Sequence, residues 1–269
     1  MEFHSAMQII PVIDIRNGIA VRAVAGQRSQ YRAIESQLTT SAEPAEVLMA
    51  LNTKLNCTAC YVADLDAIER QHLNRCSIAE MARTGVSLIV DAGVKTVEQI
   101  EALLEIGVDR VVLSSESIND FSQLKSMIEP FDPASLIFSI DLKNCNLLVS
   151  DPCWDGKPPI EMARFVFECG LRQLIALDLA AVGTGRGVPT LELCQQIKSL
   201  LPDITIISGG GVASVKCIEE AVQAGLDGLL IASALHDGRL TKEDLTTHST
   251  YQSTDVLPLA VQVNGQRRH

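Results

Sequence analysis

Two aspartates in near-identical surroundings give this sequence the makings of an acid–base pair. Asp14 ends an apolar run in IIPVIDIRNG (9–18), and Asp141 ends another in LIFSIDLKNC (136–145), 127 positions later. A carboxyl group at the end of an apolar strand has an apolar floor below it and can exchange protons with a ligand above. One such aspartate alone is more simply a turn cap, since Asp and Asn suit strand exits. Two at matching places of a repeat point to chemistry. A second pattern is rich in small residues. SGGGV (208–212) precedes a helical stretch, and IASAL (231–235) opens another. Main-chain N–H groups there can approach an anion without Cβ interference, at a helix N-terminus that favours negative charge. Gly210, Gly211, Ala232 and Ser233 are therefore candidate phosphate-binding residues.

The repeat extends to this feature. VDAGVKTVEQIEALLEIGVDRVVLSSESI (90–118) lies over SGGGVASVKCIEEAVQAGLDGLLIASALH (208–236) at a constant offset of 118, which pairs Gly93 with Gly211, Gly107 with Gly225 and Asp109 with Asp227. It predicts a second phosphate cradle from Gly93, Ser114 and Ser115. That cradle is the weaker of the two, because Asp91 stands where glycine would suit a phosphate better. Two matched cradles suggest a ligand with a phosphate at each end; ordinary strand-to-helix turn chemistry is the plainer alternative.

Positioning such groups requires strands that end at one rim. Apolar, β-branched runs near 8–14, 59–64, 86–91, 109–113, 135–141, 172–178, 204–208 and 227–231 read as strands buried on both faces. Between them, EPAEVLMALNTKL, TVEQIEALLEIG, PPIEMARFVFECG, PTLELCQQIKSLLP and SVKCIEEAVQAG space their apolar residues as amphipathic helices do, several stopping at glycine. Eight strand–helix units in about 235 residues match the α/β class and the (β/α)8 TIM barrel, whose functional groups come from the C-terminal ends of the strands. A doubly wound open sheet would carry a glycine-rich fingerprint after its first strand, which IDIRNGIAV lacks. The expected organisation is one barrel over 1–245, built from duplicated half-barrels at about 8–130 and 131–240. A terminal helix from about Thr241 and a loosely ordered tail over 246–269 should follow, its Arg267-Arg268-His269 ending being solvated charge.

With 22 basic against 33 acidic residues, the net charge of −11 disfavours nucleic acid and anionic membranes as partners, but not a locally positive site for a small anion. No apolar run approaches the roughly 20 residues of a membrane span, and MEFHSAMQ lacks signal-peptide character, so a cytoplasmic location is expected. Cys57 and Cys60 form a lone CxxC, read as buried thiols and not half a metal site; neither a metal nor a cofactor is signalled. In the first loop, Arg28, Tyr31 and Arg32 lie close to the mouth and are either substrate contacts or solvated residues.

Taken together, IIPVIDIRNGIAVR, YVADLDA, GVKTVEQIEALLEIGVDRVVLSS, ISGGGVASVKCIEEAVQAG and DGLLIASALHDGRLT resemble the histidine-biosynthesis barrel superfamily over about residues 8–245. Its members are ProFAR isomerase and the cyclase subunit of imidazole glycerol phosphate synthase. The resemblance implies a phosphorylated small-molecule substrate and makes Asp14 the base of an Amadori-type isomerisation. Asp141 is then the strand-five carboxylate, catalytic in the cyclase and supporting in the isomerase. It also implies substrate contacts for Arg22 and, more loosely, Trp154, and phosphate contacts for the two cradles. One departure stands out. Both family enzymes usually carry an Asp-Gly-Thr turn after strand six, whereas LDLAAVGTGRG keeps Gly183 and Thr184 but has Val182 in place of the acid. Loss of a positioned general acid costs about 10²–10⁴ in rate. The same loop gains Gly185, Arg186 and Gly187, a flap that could contact an anion. The expectation is a divergent phosphosugar isomerase or cyclase. The alternatives are a non-catalytic phosphometabolite-binding barrel or a role in a tetrahydromethanopterin-linked pathway, to which the divergence is similar. A glutaminase partner, which the cyclase has, is not signalled by the sequence.

Overall fold

Side chains alternate across a strand, so a strand in a closed ring sends every second residue into the lumen and the others toward the surrounding helices. The structure, a computed structural model describing residues 7–25 and 27–248, is such a ring. Its strands are β1 (Gln8–Arg16), β2 (Ala59–Asp64), β3 (Ser87–Asp91), β4 (Arg110–Ser114), β5 (Leu136–Lys143), β6 (Gln173–Asp178), β7 (Thr205–Gly209) and β8 (Gly228–Ile231). Each pairs in parallel with its neighbours, and β8 returns to β1 through Gln8–Gly228 to Pro11–Ile231. Three short antiparallel strands, Ile19–Arg22, Arg32–Ala33 and Asn146–Leu147, extend the loops after β1 and β5. The (β/α)8 barrel expected from the sequence is therefore present, its strands within one or two residues of the expected runs.

Two layers of apolar packing hold it. Ile10, Ile89, Val112, Ile137, Ile175, Ile207 and Leu230 fill the lumen floor, one from each of seven strands, with Tyr61 from β2 beside them. Ile9, Ile13, Val62, Leu88, Val111, Phe138, Leu174 and Ile206 face outward onto the helices. This double burial is why the strands read as continuous apolar runs. The five helices expected from periodicity form as Pro44–Leu55, Val97–Glu105, Pro159–Cys169, Leu191–Leu200 and Val215–Gln223. Short helices at Leu65–Arg70, Arg75–Ala82 and Leu124–Ile128 were not anticipated, since too few turns exist to display a period. The terminal helix forms at Lys242–His248. Residues 1–6, which include most of the segment judged for a signal peptide, and 249–269, with Arg267, Arg268 and His269, lie outside the described residues. So does the side chain of Arg28. Cys57 and Cys60 are both buried, and burial pushes the Cys57 thiol up to about 12, which keeps it protonated and inert.

The repeat is written in hydrogen bonds as well as letters. Asp109 Oδ2 accepts the Leu88 N–H at 2.8 Å, and Asp227 Oδ2 accepts the Ile206 N–H at 2.7 Å. Both pairs lie at the 118-residue offset. Asn17 and Asn144 turn the chain after β1 and β5 with φ of 52° and 53°, and each N–H is held by a carboxylate, that of Asp66 or Asp178. Asp227 also meets Lys198 Nζ at 2.6 Å. In Asp227→Ala the buried Ile206 N–H loses its acceptor, and urea unfolding should register a loss of about 1–3 kcal/mol.

Candidate functional site

Because the strands are parallel and in register, their last inward residues share one rim. On β1 the inward set is Ile10, Val12, Asp14, and on β5 it is Ile137, Ser139, Asp141; the apolar floor comes first and the carboxylate last. At that rim opens a cavity of about 470 Å3 lined by Asp14, Tyr61, Asp91, Ser114, Glu116, Asp141, Lys143 and Arg239, with Gly210, Gly211, Ala232 and Ser233 on its opposite side. Val12, Leu65, Ile68, Leu177, Leu179 and Val182 give it an apolar wall. Asp14 and Asp141 thus face one space from β1 and β5, as the repeat led one to expect. In the turns that follow them, the N–H groups of Asn17 and Asn144 are held by Asp66 and Asp178.

Asp141 is almost fully buried. Ser114 Oγ donates to its Oδ2 at 2.6 Å and Ser139 Oγ to its Oδ1 at 2.7 Å. Burial outweighs these bonds, and with the nearby Asp91 carboxylate it pushes the Asp141 pKa up to about 7. A group so poised can hold a proton at neutral pH and release it to a ligand. Asp91 itself accepts from Tyr61 Oη at 3.2 Å and from the Gly93 N–H at 3.0 Å. Burial raises the Tyr61 pKa, and the carboxylates of Asp91, Asp141 and Asp14 raise it further, which puts all three acids around one phenol.

The two cradles differ. At the β7–β8 rim the N–H groups of Gly211, Ala232 and Ser233 have no hydrogen-bond partner among the described residues, whereas that of Gly210 continues the β7–β8 ladder toward Leu230. Gly211 takes φ of +85° there, and a Cβ would strike the Gly187 carbonyl, so only glycine fits. Arg239, which the sequence reading did not single out, lines the same side. At the β3–β4 rim the amides are committed. Gly93 N–H is held by Asp91, Ser115 N–H by Ser139 O, and Glu116 N–H by Ser114 Oγ. Ser115 Oγ donates to Leu148 O, and neither Gly93 nor Ser115 lines the cavity.

Of the remaining expected contacts, Trp154, Thr184, Arg186 and Arg32 do not line the cavity, Arg22 lines a small adjoining hollow with Asp14, Ala232 and Ser233, and Tyr31 lines the cavity itself. Arg22 forks onto the Asp237 carboxylate at 2.9 and 3.0 Å. Trp154 is buried between Phe121 and Phe165, at ring-centroid distances of 5.8 and 5.1 Å. Thr184 Oγ1 donates to Ala181 O at 2.7 Å, and Arg186 is exposed. Tyr31 lines the cavity, whereas Arg32 is exposed and donates to the Tyr31 carbonyl. Val182 lines the cavity, so its apolar side chain stands where an acid was looked for. Asp178 does not replace that acid, because it is 2% exposed and accepts the N–H groups of Asn144, Cys145 and Ala180. Lys143 and Glu116 were missed as lining residues. Lys143 could have been found, since it follows Asp141 by two and shares its strand face.

A parallel eight-stranded barrel thus carries two rim carboxylates and a glycine-lined rim around one cavity, the (β/α)8 class with its site at the C-terminal ends of the strands. Comparison of sequences narrows this further: residues 8–241 match the histidine biosynthesis protein family, and the chain belongs to it. Among its relatives is the 1-(5-phosphoribosyl)-5-((5-phosphoribosylamino)methylideneamino)imidazole-4-carboxamide isomerase (ProFAR isomerase) of Streptococcus sanguinis. The two are 30% identical over 89% of this chain and 97% of the relative. An uncharacterized protein of Methanocaldococcus jannaschii is 31% identical over 89% of this chain and 97% of its own length. The same-named isomerase of Methanosarcina acetivorans is 28% identical over 88% and 96%. Among the described residues no helix is long and apolar enough to cross a membrane.

The raised pKa of Asp141 carries a sign. The folded chain favours the protonated form, so the stability this group contributes is full below about pH 4 and is lost as pH rises through about 7. Asp141→Asn cannot ionise and should gain on the wild type in thermal melts between those values. A difference that stays flat over this range would exclude Asp141 as a buried high-pKa acid.

Proposed function

We propose that this chain is an acid–base isomerase of a phosphorylated aminosugar, with Asp14 and Asp141 as the proton-transfer pair and Gly210, Gly211, Ala232 and Ser233 as the phosphate site. The reaction class is the aldose-to-ketose rearrangement of a glycosylamine phosphate. One carboxyl group protonates the ring oxygen and opens the sugar to an iminium ion. The other removes the C2 proton, and the resulting enaminol becomes the aminoketose. Asp141, protonated up to about pH 7, suits the first task, and Asp14 the second. The ProFAR isomerases among the relatives support this class.

The observation that carries the reading is the single cavity shared by the two carboxylates and the unpartnered amides. Val182 makes the activity a divergent one: without an acid after β6, both proton transfers fall to Asp14 and Asp141. The same valine favours a second reading, in which the barrel binds a phosphometabolite and performs no chemistry.

Thermal-shift titration with phosphoribosyl compounds, ProFAR among them, followed by turnover assays on those that bind, separates these readings. Binding raises the midpoint by mass action. Asp14→Asn and Asp141→Asn should each lower turnover by about 10²–10⁴ while leaving the phosphate-dependent shift in place. Shifts without turnover in the wild type favour the binding barrel. Absence of any shift removes the phosphate site from both.

A further inference from the structure

The internal repeat contains its own control for ligand charge. Asp91 on β3 occupies the place that Gly209 occupies on β7, so one half of the barrel carries a carboxylate where the other has hydrogen. At the β7–β8 rim the N–H groups of Gly211, Ala232 and Ser233 are unpartnered among the described residues, and Arg239, paired with Asp237, lines the cavity nearby. At the β3–β5 rim the equivalent donors are already spent. Ser114 and Ser139 donate to Asp141, Ser115 donates to Leu148 O, Tyr61 donates to Asp91, and the Gly93 amide is held by Asp91. What that side offers the cavity is acceptors: Asp91, Glu116 and Asp141, with Lys143 the one basic side chain in this part of the lining.

A phosphate placed there would meet the carboxylates of Asp91 and Glu116 with Lys143 alone to offset them, an arrangement that repels more than it attracts. A group bearing N–H donors and positive charge finds the reverse. Resting on the phosphate site proposed above, we infer that the ligand carries a single phosphate, held at the β7–β8 rim, and presents an amine to Asp91, Glu116 and Asp141 at the opposite rim. The two-phosphate ligand expected from the repeat is replaced by a polar-ended one, cationic at one end and anionic at the other. The acids are not a separate site; they select the far end of a ligand already anchored.

Isothermal titration with three sugar phosphates tests this: glucosamine 6-phosphate, fructose 6-phosphate and fructose 1,6-bisphosphate, with inorganic phosphate as the probe of the cradle alone. Wild-type protein should bind the amino monophosphate at least about tenfold more tightly than the bisphosphate, with fructose 6-phosphate, which lacks the amine, between them. Asp91→Gly, which makes the two halves alike, should narrow or reverse that ratio. Asp91→Asn keeps the side-chain shape and should move it the same way, which guards against a glycine variant that folds poorly. Inorganic phosphate should bind all three proteins equally. If the bisphosphate binds the wild type as well as or better than the amino sugar, or the ratio ignores Asp91, the inference is wrong while the cradle survives. If inorganic phosphate does not bind at all, the phosphate site falls, and this inference with it.

Discussion

The pairing of β8 with β1, from Gln8–Gly228 to Pro11–Ile231, closes the sheet on itself. Once closed, a parallel ring has no exposed edge, and all eight C-terminal ends point one way. The two-residue alternation then assigns each inward position a depth. Apolar residues come first, and the last inward residue of each strand reaches the mouth. Asp14 and Asp141 face a common cavity for this reason alone: each lies four residues beyond a floor isoleucine, Ile10 or Ile137, on strands half the ring apart. The burial that fills the floor also desolvates Asp141 and raises its pKa, so packing and acidity have one origin.

The two halves of the barrel agree in scaffold and differ in chemistry. Hydrogen bonds that hold loops, such as those of Asp109 with Leu88 and Asp227 with Ile206, recur at fixed offset because any strand–helix unit must satisfy the same amides. The mouth carries no such obligation. There one half keeps glycine and unpartnered N–H groups, and the other has Asp91, whose carboxylate takes the Gly93 N–H while Ser139 O and Ser114 Oγ take the next two. A duplicated fold thereby presents two unlike walls to one ligand.

Much of this was legible in the sequence. Strands buried on both faces announce themselves as apolar runs; the repeat singled out Asp14 and Asp141, and the small-residue turns Gly210, Gly211, Ala232 and Ser233, all of which line the cavity. What escaped was whatever depends on partners distant in sequence. Arg22 is basic and close to β1, yet its guanidinium is taken by Asp237, 215 residues away. Trp154 follows β5, but two other rings, Phe121 and Phe165, pack against it and hold it in the core. The Gly93 cradle differed from its counterpart at Asp91, a letter that marked it as the weaker one, but the letters did not show that this side chain holds the Gly93 amide.

The loops after β1 and β6 touch one another. Ala25 N–H donates to the Val182 carbonyl at 2.7 Å, and Gly183 lies so close to Ala23 O that any side chain would collide with it. Since β7 and β8 stand between β6 and β1 in the ring, this contact runs as a chord above the glycine turns. Backbone from two loops far apart in sequence thereby bridges that side of the mouth, and the glycine turns keep a neighbour of fixed position.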